Sequence, residues 1–286
     1  MKLLRYGQAG REQWGVLDAA SKPRALEPAI AGIAAAPFSP GWFTQIAQLD
    51  FNRLPLVPSG VRIGPAIPRP LNFVCIGLNY ADHARELAFK APDEPLVFLK
   101  PANTFIGHRA HTVRPADATY MHYECELGVV IGRRCRNVSR DQAYAYVAGY
   151  TVGNDYAIRD YLENYYRPNL PVKGRDTCTP LGPWLVSADQ VPDPMNLRLT
   201  TSVNGVLTQQ GNTRDMIFDI PTLIAWLSAF MTLEAGDLIL TGTPEGLVDA
   251  RPGDEIVTEI EQVGRLVNTV VSESAYFKVK SLQEQA

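Results

Sequence analysis

The segment "HYECELGVVIG", residues 122–132, reads as a buried β-strand that carries two glutamates, Glu124 and Glu126. Successive side chains of a strand point to opposite faces, so both carboxylates project to the same side, together with His122. Two carboxylates at this distance repel each other. On a solvated face water and salt screen the repulsion, whereas on a buried face one carboxylate must be protonated or a cation must lie between them. The segment alone leaves both alternatives open.

Short β-type runs, separated by Gly, Pro, Asn and Asp residues, surround this segment. They are "NFVCIGL", "LVFLK", "AGYTVGND", "GPWLV", "LRLTTSVNG", "LILTG", "DEIVTEIEQVG" and "RLVNTVV". Helical periodicity is confined to "ADHARELAF", "RDQAYAYVAG" and "DIPTLIAWLSAFM", and the last of these begins after Asp219 with Pro221 in its first turn. Long alternation of parallel strands and helices is therefore disfavoured, and the pattern predicts a β-rich α+β fold.

The beginning of the chain differs from the remainder in amino-acid composition. A short strand-like start is followed by Pro- and Ala-rich segments such as "ALEPAIAGIAAAPFSPGW", and the region ends near "LPLVPSG". We therefore predict a small N-terminal domain over residues 1–68 and one catalytic domain over residues 69–286. A chain of 286 residues is long enough for one large core with such an addition.

Composition excludes several classes of function. The 27 basic and 30 acidic residues give a formal charge of −3 without a basic stripe, so nucleic acid is not an expected partner. No apolar run approaches the roughly 18–20 residues that span a bilayer, and the first fifteen residues lack the apolar stretch of a secretory signal. The four cysteines form no CxxC pair, which favours reduced thiols. We expect a cytoplasmic protein without a membrane partner.

A third acidic side chain could lie close to the two glutamates in the folded protein. The run "VAGYTVGNDYAIRD", residues 147–160, brings Asp155 to the end of another apolar strand. Three converging carboxylates would suit Mg²⁺, Mn²⁺ or Ca²⁺, whereas zinc prefers His or Cys ligands. The alternative is structural, because Asn-Asp pairs such as Asn154 and Asp155 often form turns.

A possible proton-transfer pair follows the strand that ends at Gly77. His83 and Glu86 stand three residues apart on one face of a predicted helix, where the carboxylate can orient the imidazole and raise its basicity. A surface ion pair on an amphipathic helix would have the same spacing. The sequence does not separate these two interpretations.

Cationic residues are concentrated in an irregular, Pro-bounded stretch. Arg167, Lys173 and Arg175 lie within "NYYRPNLPVKGRDTCTPLGPW", shortly after Arg159. A guanidinium group can bind a carboxylate in a bidentate manner, so one interpretation is that these residues bind an anionic substrate. The other interpretation is that they are ordinary solvated charges of a loop. Further along, Thr243 follows a strand in "DLILTGTPEG", where hydroxyl and backbone N–H groups can face a ligand oxygen or form a plain turn.

Taken in order, these segments resemble the fumarylacetoacetate hydrolase family across about residues 70–275. The resemblance is carried by "IGLNYADHARE", "EPLVFLKP", "HYECELGVVIG", "AGYTVGNDYAIRD", "VKGRDTCTPLGPW", "VNGVLTQQGNTRDMIFDI" and "LEAGDLILTGTPEG". It implies a mixed β-roll core, a divalent cation that is usually Mg²⁺ or Mn²⁺, and commonly a homodimer. It also implies that the two glutamates share a face because a cation lies between them.

The same resemblance implies roles for individual residues, each matched by motif. Glu124, Glu126 and Asp155 are expected to be the metal ligands, and Lys173 the active-site lysine. His83 and Glu86 are expected to transfer protons. The substrate-binding residues expected from the matching motifs are Tyr80, Arg167, Arg175 and Thr243.

Within the family, residues 154–184 look most similar to members that decarboxylate or isomerise unsaturated 2-oxo dicarboxylates and tricarboxylates in aromatic catabolism. This implies a small oxo-dicarboxylate as the substrate. Two other functions stay open at this stage. One is hydrolysis of a C–C bond in acylpyruvates or fumarylacetoacetate, and the other is a non-catalytic binding protein that a metal stabilises.

Overall fold

The structure is a computed structural model that describes residues 1–27, 29–161 and 170–284. Its strands, in chain order, are β1 Lys2–Tyr6, β2 Gln13–Leu17, β3 Pro23–Ala25, β4 Phe73–Gly77, β5 Leu96–Leu99, β6 Phe105–Ile106, β7 His111–Arg114, β8 Met121–His122, β9 Cys125–Ile131, β10 Val147–Asn154, β11 Ala157–Ile158, β12 Thr179–Ser187, β13 Arg198–Val203, β14 Val206–Asn212, β15 Leu238–Leu240, β16 Glu255–Ile260 and β17 Gly264–Ser272. The α-helices are α1 Pro40–Ala47, α2 Ala81–Glu86, α3 Leu170–Lys173, α4 Ile220–Phe230 and α5 Glu273–Glu284.

Two mixed sheets and one small ribbon make up the fold. The largest sheet has the order β3-β2-β1-β12-β10-β9-β15-β4-β5, with β6 added beside β12. A second sheet has the order β14-β13-β16-β17-β7, and β8 pairs with β11. Most neighbours are antiparallel, but β15–β4, β12–β6 and β17–β7 are parallel pairs. The predicted β-rich mixed architecture is confirmed.

The quoted segment lies at the centre of the large sheet. Strand β9 is buried along its whole length between β10 and β15. Its apolar, β-branched residues favour such a two-sided burial. Close strand packing also needs Gly149 on β10, because a Cβ there would lie 2.1 Å from the Val186 carbonyl oxygen. The glutamates of this segment are therefore placed in the interior, and the solvated alternative for them is wrong.

The predicted helices form over shorter stretches than their periodicity suggests. Helix α4 begins at the predicted cap, where the Asp219 carboxylate accepts the Thr222 N–H at 2.8 Å. Helix α2 ends at Glu86, because Ala88 adopts a left-handed conformation with φ of +58°. Residues 140–146 form a 3-10 segment, and the chain then enters β10. Within the described residues no helix has the length and apolarity needed to cross a membrane.

The N-terminal region continues the large sheet. Strand β1 pairs with β12 through Lys2–Val186 and Leu3–Leu185, and Leu3 packs in a core cluster with Trp42 of α1. The division into residues 1–68 and 69–286 stays a prediction. All four cysteines are buried and unpaired.

Asp237 connects the start of β4 to the turn before β15. Its buried carboxylate accepts the backbone N–H of Asn72 at 2.8 Å, the Asn72 side-chain amide at 2.7 Å and the Glu234 N–H at 2.8 Å. Asp237→Ala should lower the free energy of unfolding by about 2–4 kcal/mol, because buried donors lose their acceptor. Urea denaturation measures this, and Asp93→Ala at an exposed position is the control. Equal losses in the two variants would contradict the assignment.

His108 predicts a pH dependence of stability. Burial, with Arg109 and Arg265 nearby, lowers its pKa from 6.5 to about 4. The unfolded chain therefore binds more protons between these values, so this contribution to stability is complete above about pH 6.5 and is lost as the pH falls towards 4. His108→Asn should flatten that part of the curve of urea midpoint against pH. Parallel curves for the variant and the wild type would contradict the prediction.

Candidate metal centre and active site

The three predicted ligands meet at one buried place. Glu126 lies on β9, Glu124 precedes that strand, and Asp155 follows β10, which pairs with β9 in antiparallel register. Carboxylate oxygens of the three residues lie within 4.8 Å of one another, and all three side chains are buried. Such a set of oxygen ligands is suited to a hard divalent cation. The local pairing of two strands thus produces the cluster.

Two buried lysines neutralise part of this charge. The Lys173 ammonium donates to Glu124 Oε2 at 2.6 Å and to Asp155 Oδ2 at 2.8 Å. The Lys100 ammonium donates to the other Asp155 oxygen and to the Cys178 carbonyl oxygen at 3.4 Å. Lys173 was predicted from its motif. Lys100, at the end of "LVFLK", was not singled out from the sequence, because its contact with Asp155 depends on the tertiary fold.

The electrostatic environment differs between the two glutamates. Burial favours a neutral Glu124, but Lys173 and His83 outweigh it, so the pKa of Glu124 stays below its usual value. Burial, together with the negative charges of Asp155 and Glu124, raises the pKa of Glu126 well above its usual value. A buried carboxylate under this repulsion is a position where a cation is favourable. The donor set therefore fits a divalent ion.

Backbone and amide groups hold the ligands in place. Gly242 donates its N–H to Glu126 Oε2 at 2.8 Å. Its φ of +92° favours glycine, and a Cβ there would lie 2.8 Å from the Asn79 Cβ. The Asn154 side-chain oxygen accepts the Glu124 N–H at 3.0 Å. The first contact holds the Glu126 carboxylate, and the second holds the backbone of Glu124.

The predicted His83–Glu86 pair is formed on α2. His83 Nδ1 lies 3.1 Å from Glu86 Oε2, while Glu86 Oε1 accepts the N–H groups of Gly246 and Leu247, each at 3.0 Å. Glu86 is therefore fixed by three contacts and orients the imidazole. His83 is buried, and it lines the cavity that also contains the carboxylates. The surface-pair alternative does not describe this arrangement.

A cavity of about 180 Å³ opens beside the carboxylates. Its polar wall contains Lys173, Arg159 and Thr243 as well as His83 and the two glutamates. The remaining lining is mostly apolar and includes Ile76, Leu78, Leu87, Phe89, Leu96 and Phe98. Thr243 is held by the buried Gln209, whose amide donates to Thr243 Oγ1 at 2.8 Å. The cavity is therefore lined by both charged and apolar side chains.

The other predicted substrate-binding residues are placed differently. Arg175 is not among the residues that line the cavity; its guanidinium carbon lies 4.8 Å from the centre of the Tyr161 ring. Arg159 lines the cavity in its place. Tyr80 is fully buried in the largest core cluster, and its hydroxyl has no hydrogen-bond partner among the described residues. Arg167 lies outside the described residues.

The mixed sheets carry a buried triad of carboxylates beside a cavity, and this donor set fits a divalent-metal enzyme. Residues 72–271 match the family model described as fumarylacetoacetate (FAA) hydrolase C-terminal. The chain therefore belongs to the fumarylacetoacetate hydrolase family.

Named relatives and solved structures agree with this assignment. The chain is 64% identical over 200 residues to the 4-hydroxyphenylacetate degradation bifunctional isomerase/decarboxylase of Salmonella dublin, covering 70% of this chain and 47% of the relative. It therefore spans about half the length of that relative. A 2-hydroxyhepta-2,4-diene-1,7-dioate isomerase from Mycobacterium marinum is 35% identical with a TM-score of 0.75, covering 96% of this chain and 99% of the other.

A further solved structure contains a metal. The maleylpyruvate hydrolase of Sphingobium sp. SYK-6, in complex with manganese(II) ion and pyruvate, is 31% identical with a TM-score of 0.79. The alignment covers 95% of this chain and 99% of that one. Together with the carboxylate cluster, this neighbour supports a divalent-metal site here.

Proposed function

We propose that this protein is a divalent-metal-dependent isomerase/decarboxylase that acts on unsaturated 2-oxo dicarboxylates or tricarboxylates in the catabolism of 4-hydroxyphenylacetate and homoprotocatechuate. The proposed substrates are 2-hydroxyhepta-2,4-diene-1,7-dioate for isomerisation and 5-oxopent-3-ene-1,2,5-tricarboxylate for decarboxylation. The observation that carries the proposal is the buried carboxylate triad beside a cavity that is lined by charged and apolar side chains.

The charges of the site favour an anionic substrate. Among the described residues, Lys100, Lys173 and Arg159 lie at ion-pair distance from the carboxylates of the triad and offset their negative charge. Mg²⁺ or Mn²⁺ held by Glu124, Glu126 and Asp155 would supply a Lewis acid for the 2-oxo or enol oxygen. The two positive charges of that ion would give the site a net positive charge, which suits a substrate with two negative charges. The apolar lining residues would contact the carbon chain between the two ends of the substrate.

Three residues that line the cavity are proposed to take part in proton transfer and in stabilising the substrate. His83 lines the cavity, and its Nδ1 is held by Glu86, so Nε2 is left to exchange a proton with a substrate carbon. Lys173 hydrogen-bonds to two of the carboxylates and lines the same cavity, where its positive charge would stabilise an enolate oxygen. Thr243 would donate its hydroxyl to substrate, because its oxygen already accepts from Gln209.

Arg159 is the cation that we assign to the distal carboxylate. Its side chain is 21% exposed and lines the cavity, whereas Arg175 does not. A guanidinium can bind a carboxylate through two nitrogens. The sequence predicted Arg167 and Arg175 for this role; Arg175 does not line the cavity, and Arg167 lies outside the described residues.

Hydrolysis of a C–C bond is the second candidate function. It is favoured by the similarity to the maleylpyruvate hydrolase, which shares the fold over nearly the whole of both chains. In that reaction the His83–Glu86 pair would activate a water molecule instead of transferring a proton between carbons.

A product assay separates these functions. Purified protein with Mg²⁺ is mixed with 2-hydroxyhepta-2,4-diene-1,7-dioate, with the tricarboxylate and with an acylpyruvate, and the reaction is followed by absorbance and mass spectrometry. We expect an isomer of unchanged mass from the first and CO₂ from the second. Two fragments from the acylpyruvate alone would favour the hydrolase. Stabilisation by Mg²⁺ without any reaction would indicate a binding protein.

Glu86→Gln tests the proton-transfer pair. The amide keeps the shape of the side chain but removes the negative charge that holds His83, so kcat should fall roughly 100-fold, within the range of general acid–base catalysis. KM and the affinity for Mn²⁺ should stay within about threefold of the wild-type values, since Glu86 is not a ligand. Glu94→Gln, at an exposed position, is the control. An unchanged kcat would remove Glu86 from the mechanism.

The proposal also includes the oligomeric state of the protein and its location in the cell. The family resemblance supports a homodimer in the cytoplasm. The edge strand β5 is consistent with pairing of two copies, because Leu99 is 62% exposed there. Light scattering of the purified protein would measure the oligomeric state, and a monomer at micromolar concentration would contradict this part.

A further inference from the structure

His122 and Arg159 are brought together by the small β8–β11 ribbon. Ala157 pairs with His122 and Ile158 pairs with Met121 across the ribbon. The backbone N–H of Arg159 donates to the Tyr120 carbonyl oxygen at 2.9 Å, which continues this register. The backbone therefore fixes Arg159 beside His122 before any side-chain contact is considered.

The side chains then form a short, oriented hydrogen bond. Arg159 Nε donates to His122 Nε2 at 2.6 Å. The Nε of arginine carries a hydrogen at every accessible pH, so His122 Nε2 is the unprotonated acceptor. The other ring nitrogen, Nδ1, lies 3.2 Å from the Tyr123 carbonyl oxygen, which can accept its hydrogen. His122 is completely buried and thus cannot turn out to water.

This contact leaves the outer part of the guanidinium available. No hydrogen bond joins the terminal nitrogens of Arg159 to any described residue. Arg159 Nη2 lies 3.8 Å from Glu124 Oε1, which is an ion-pair distance and too long for a hydrogen bond. The hydrogen bond at Nε therefore restrains the side chain without using its two terminal nitrogens, and Arg159 lines the cavity.

We propose that His122 is a positioning residue that sets specificity for a diacid: it holds Arg159 through a neutral acceptor, so that the guanidinium keeps its full charge for the distal carboxylate of the substrate. This inference rests on the proposed function, since it concerns the substrate-binding arginine of that site. A carboxylate at position 122 would also accept from Nε, but it would neutralise Arg159. An apolar side chain would leave the guanidinium unrestrained.

The test compares two saturated 2-oxo acids that differ only in the distal group. The probes are 2-oxoheptanedioate and 2-oxoheptanoate, and neither can undergo the proposed isomerisation. Calorimetric titration of the Mn²⁺-loaded protein gives both dissociation constants. We expect the wild type to bind the diacid roughly 10- to 100-fold more tightly, which is the usual gain from a hydrogen-bonded charge pair.

Variants at position 122 separate positioning from a merely structural role. His122→Leu and His122→Asp should both abolish the preference for the diacid while changing the affinity for the monoacid by no more than about twofold. His122→Gln, which supplies a neutral acceptor, should restore most of the preference. Arg159→Met should abolish it, and adding His122→Leu to that variant should have no further effect, because the two residues act through one contact. If His122→Leu does not fold, the comparison of the Gln and Asp variants carries the test.

Three results would overturn the inference. They are an unchanged diacid preference in His122→Leu or His122→Asp, equal loss of affinity for both acids, and additive effects in the double variant. The proposed function fails separately. A diacid preference that depends on His122, in a protein that does not convert the dienedioate, would refute the proposed function and leave the role of His122 supported.

Discussion

Glu126→Gln should weaken Mn²⁺ binding by more than roughly 100-fold and reduce turnover to background, because losing a metal ligand should cost more than the 10- to 100-fold typical of the groups that merely orient ligands. Glutamine has nearly the same shape, and its oxygen can still accept the Gly242 N–H that now meets Glu126 at 2.8 Å. The substitution thus removes charge with little change in packing. Calorimetric titration with Mn²⁺ and the dienedioate assay measure the two effects.

The same substitution should not destabilise the metal-free protein. Glu126 is buried among like charges, and its raised pKa reflects burial and the repulsion by Asp155 and Glu124. Removing the carboxylate relieves this repulsion, so the unfolding temperature in EDTA should be no lower than that of the wild type. Only the wild type should gain stability from Mn²⁺. Glu255→Gln at an exposed position is the control, and a fully active Glu126→Gln variant would contradict the role given to this residue.

Lys100→Met should lower the free energy of unfolding by about 3–5 kcal/mol in the absence of metal, since removing one partner of a buried ion pair leaves the other uncompensated. The side chains of Lys100 and Asp155 are both completely buried. Lys173 still contacts Asp155 Oδ2, but the oxygen that faces Lys100 would lose its donor. Chemical denaturation in EDTA measures the loss.

A double variant and added metal test the cause of this destabilisation. Lys100→Met combined with Asp155→Asn should be less destabilised than Lys100→Met alone, because the uncompensated charge is gone. Mn²⁺ should restore more stability to Lys100→Met than it adds to the wild type. If Lys100→Met loses less than about 1 kcal/mol, or if the double variant is the worse of the two, charge compensation is not what Lys100 provides.

For the carboxylate triad and the proton-transfer pair, spacing within short segments predicts which side chains share a face, whereas their burial and their roles were expected from the family resemblance. Glu124 and Glu126 share a face through the alternation of a strand, and His83 and Glu86 share one through the pitch of a helix. The antiparallel pairing of β9 with β10 then brings Asp155 to them. Local geometry and one strand pairing are sufficient for these contacts.

The cationic side of the site could not be predicted in the same way. Lys100 meets Asp155 across 55 positions of the chain, and nothing in "EPLVFLKP" marks its side chain as directed inward. Which arginine faces the cavity depends on the path of the backbone after β10. Arg159 follows the β8–β11 ribbon into the cavity wall, whereas Arg175 lies against Tyr161. Composition of a loop does not determine such orientations.

The extent of the helices could not be predicted from the sequence either. The pattern in "RDQAYAYVAG" suggests a helix, yet residues 140–146 are 3-10 and Val147 begins β10. Pairing with β9 and burial of the strand outweigh the weak local propensity. Tyr80 shows the same effect of tertiary packing. The matching motif predicted that it contacts substrate, but its side chain is fully buried in the largest core cluster.

Anomalous diffraction from a crystal of the wild-type protein soaked in Mn²⁺ would test the metal centre most directly. We expect one strong peak per chain at the manganese edge, within bonding distance of oxygens from Glu124, Glu126 and Asp155. A fully ordered cluster without a peak, with the two lysine ammonium groups still occupying the space among the carboxylates, would contradict it.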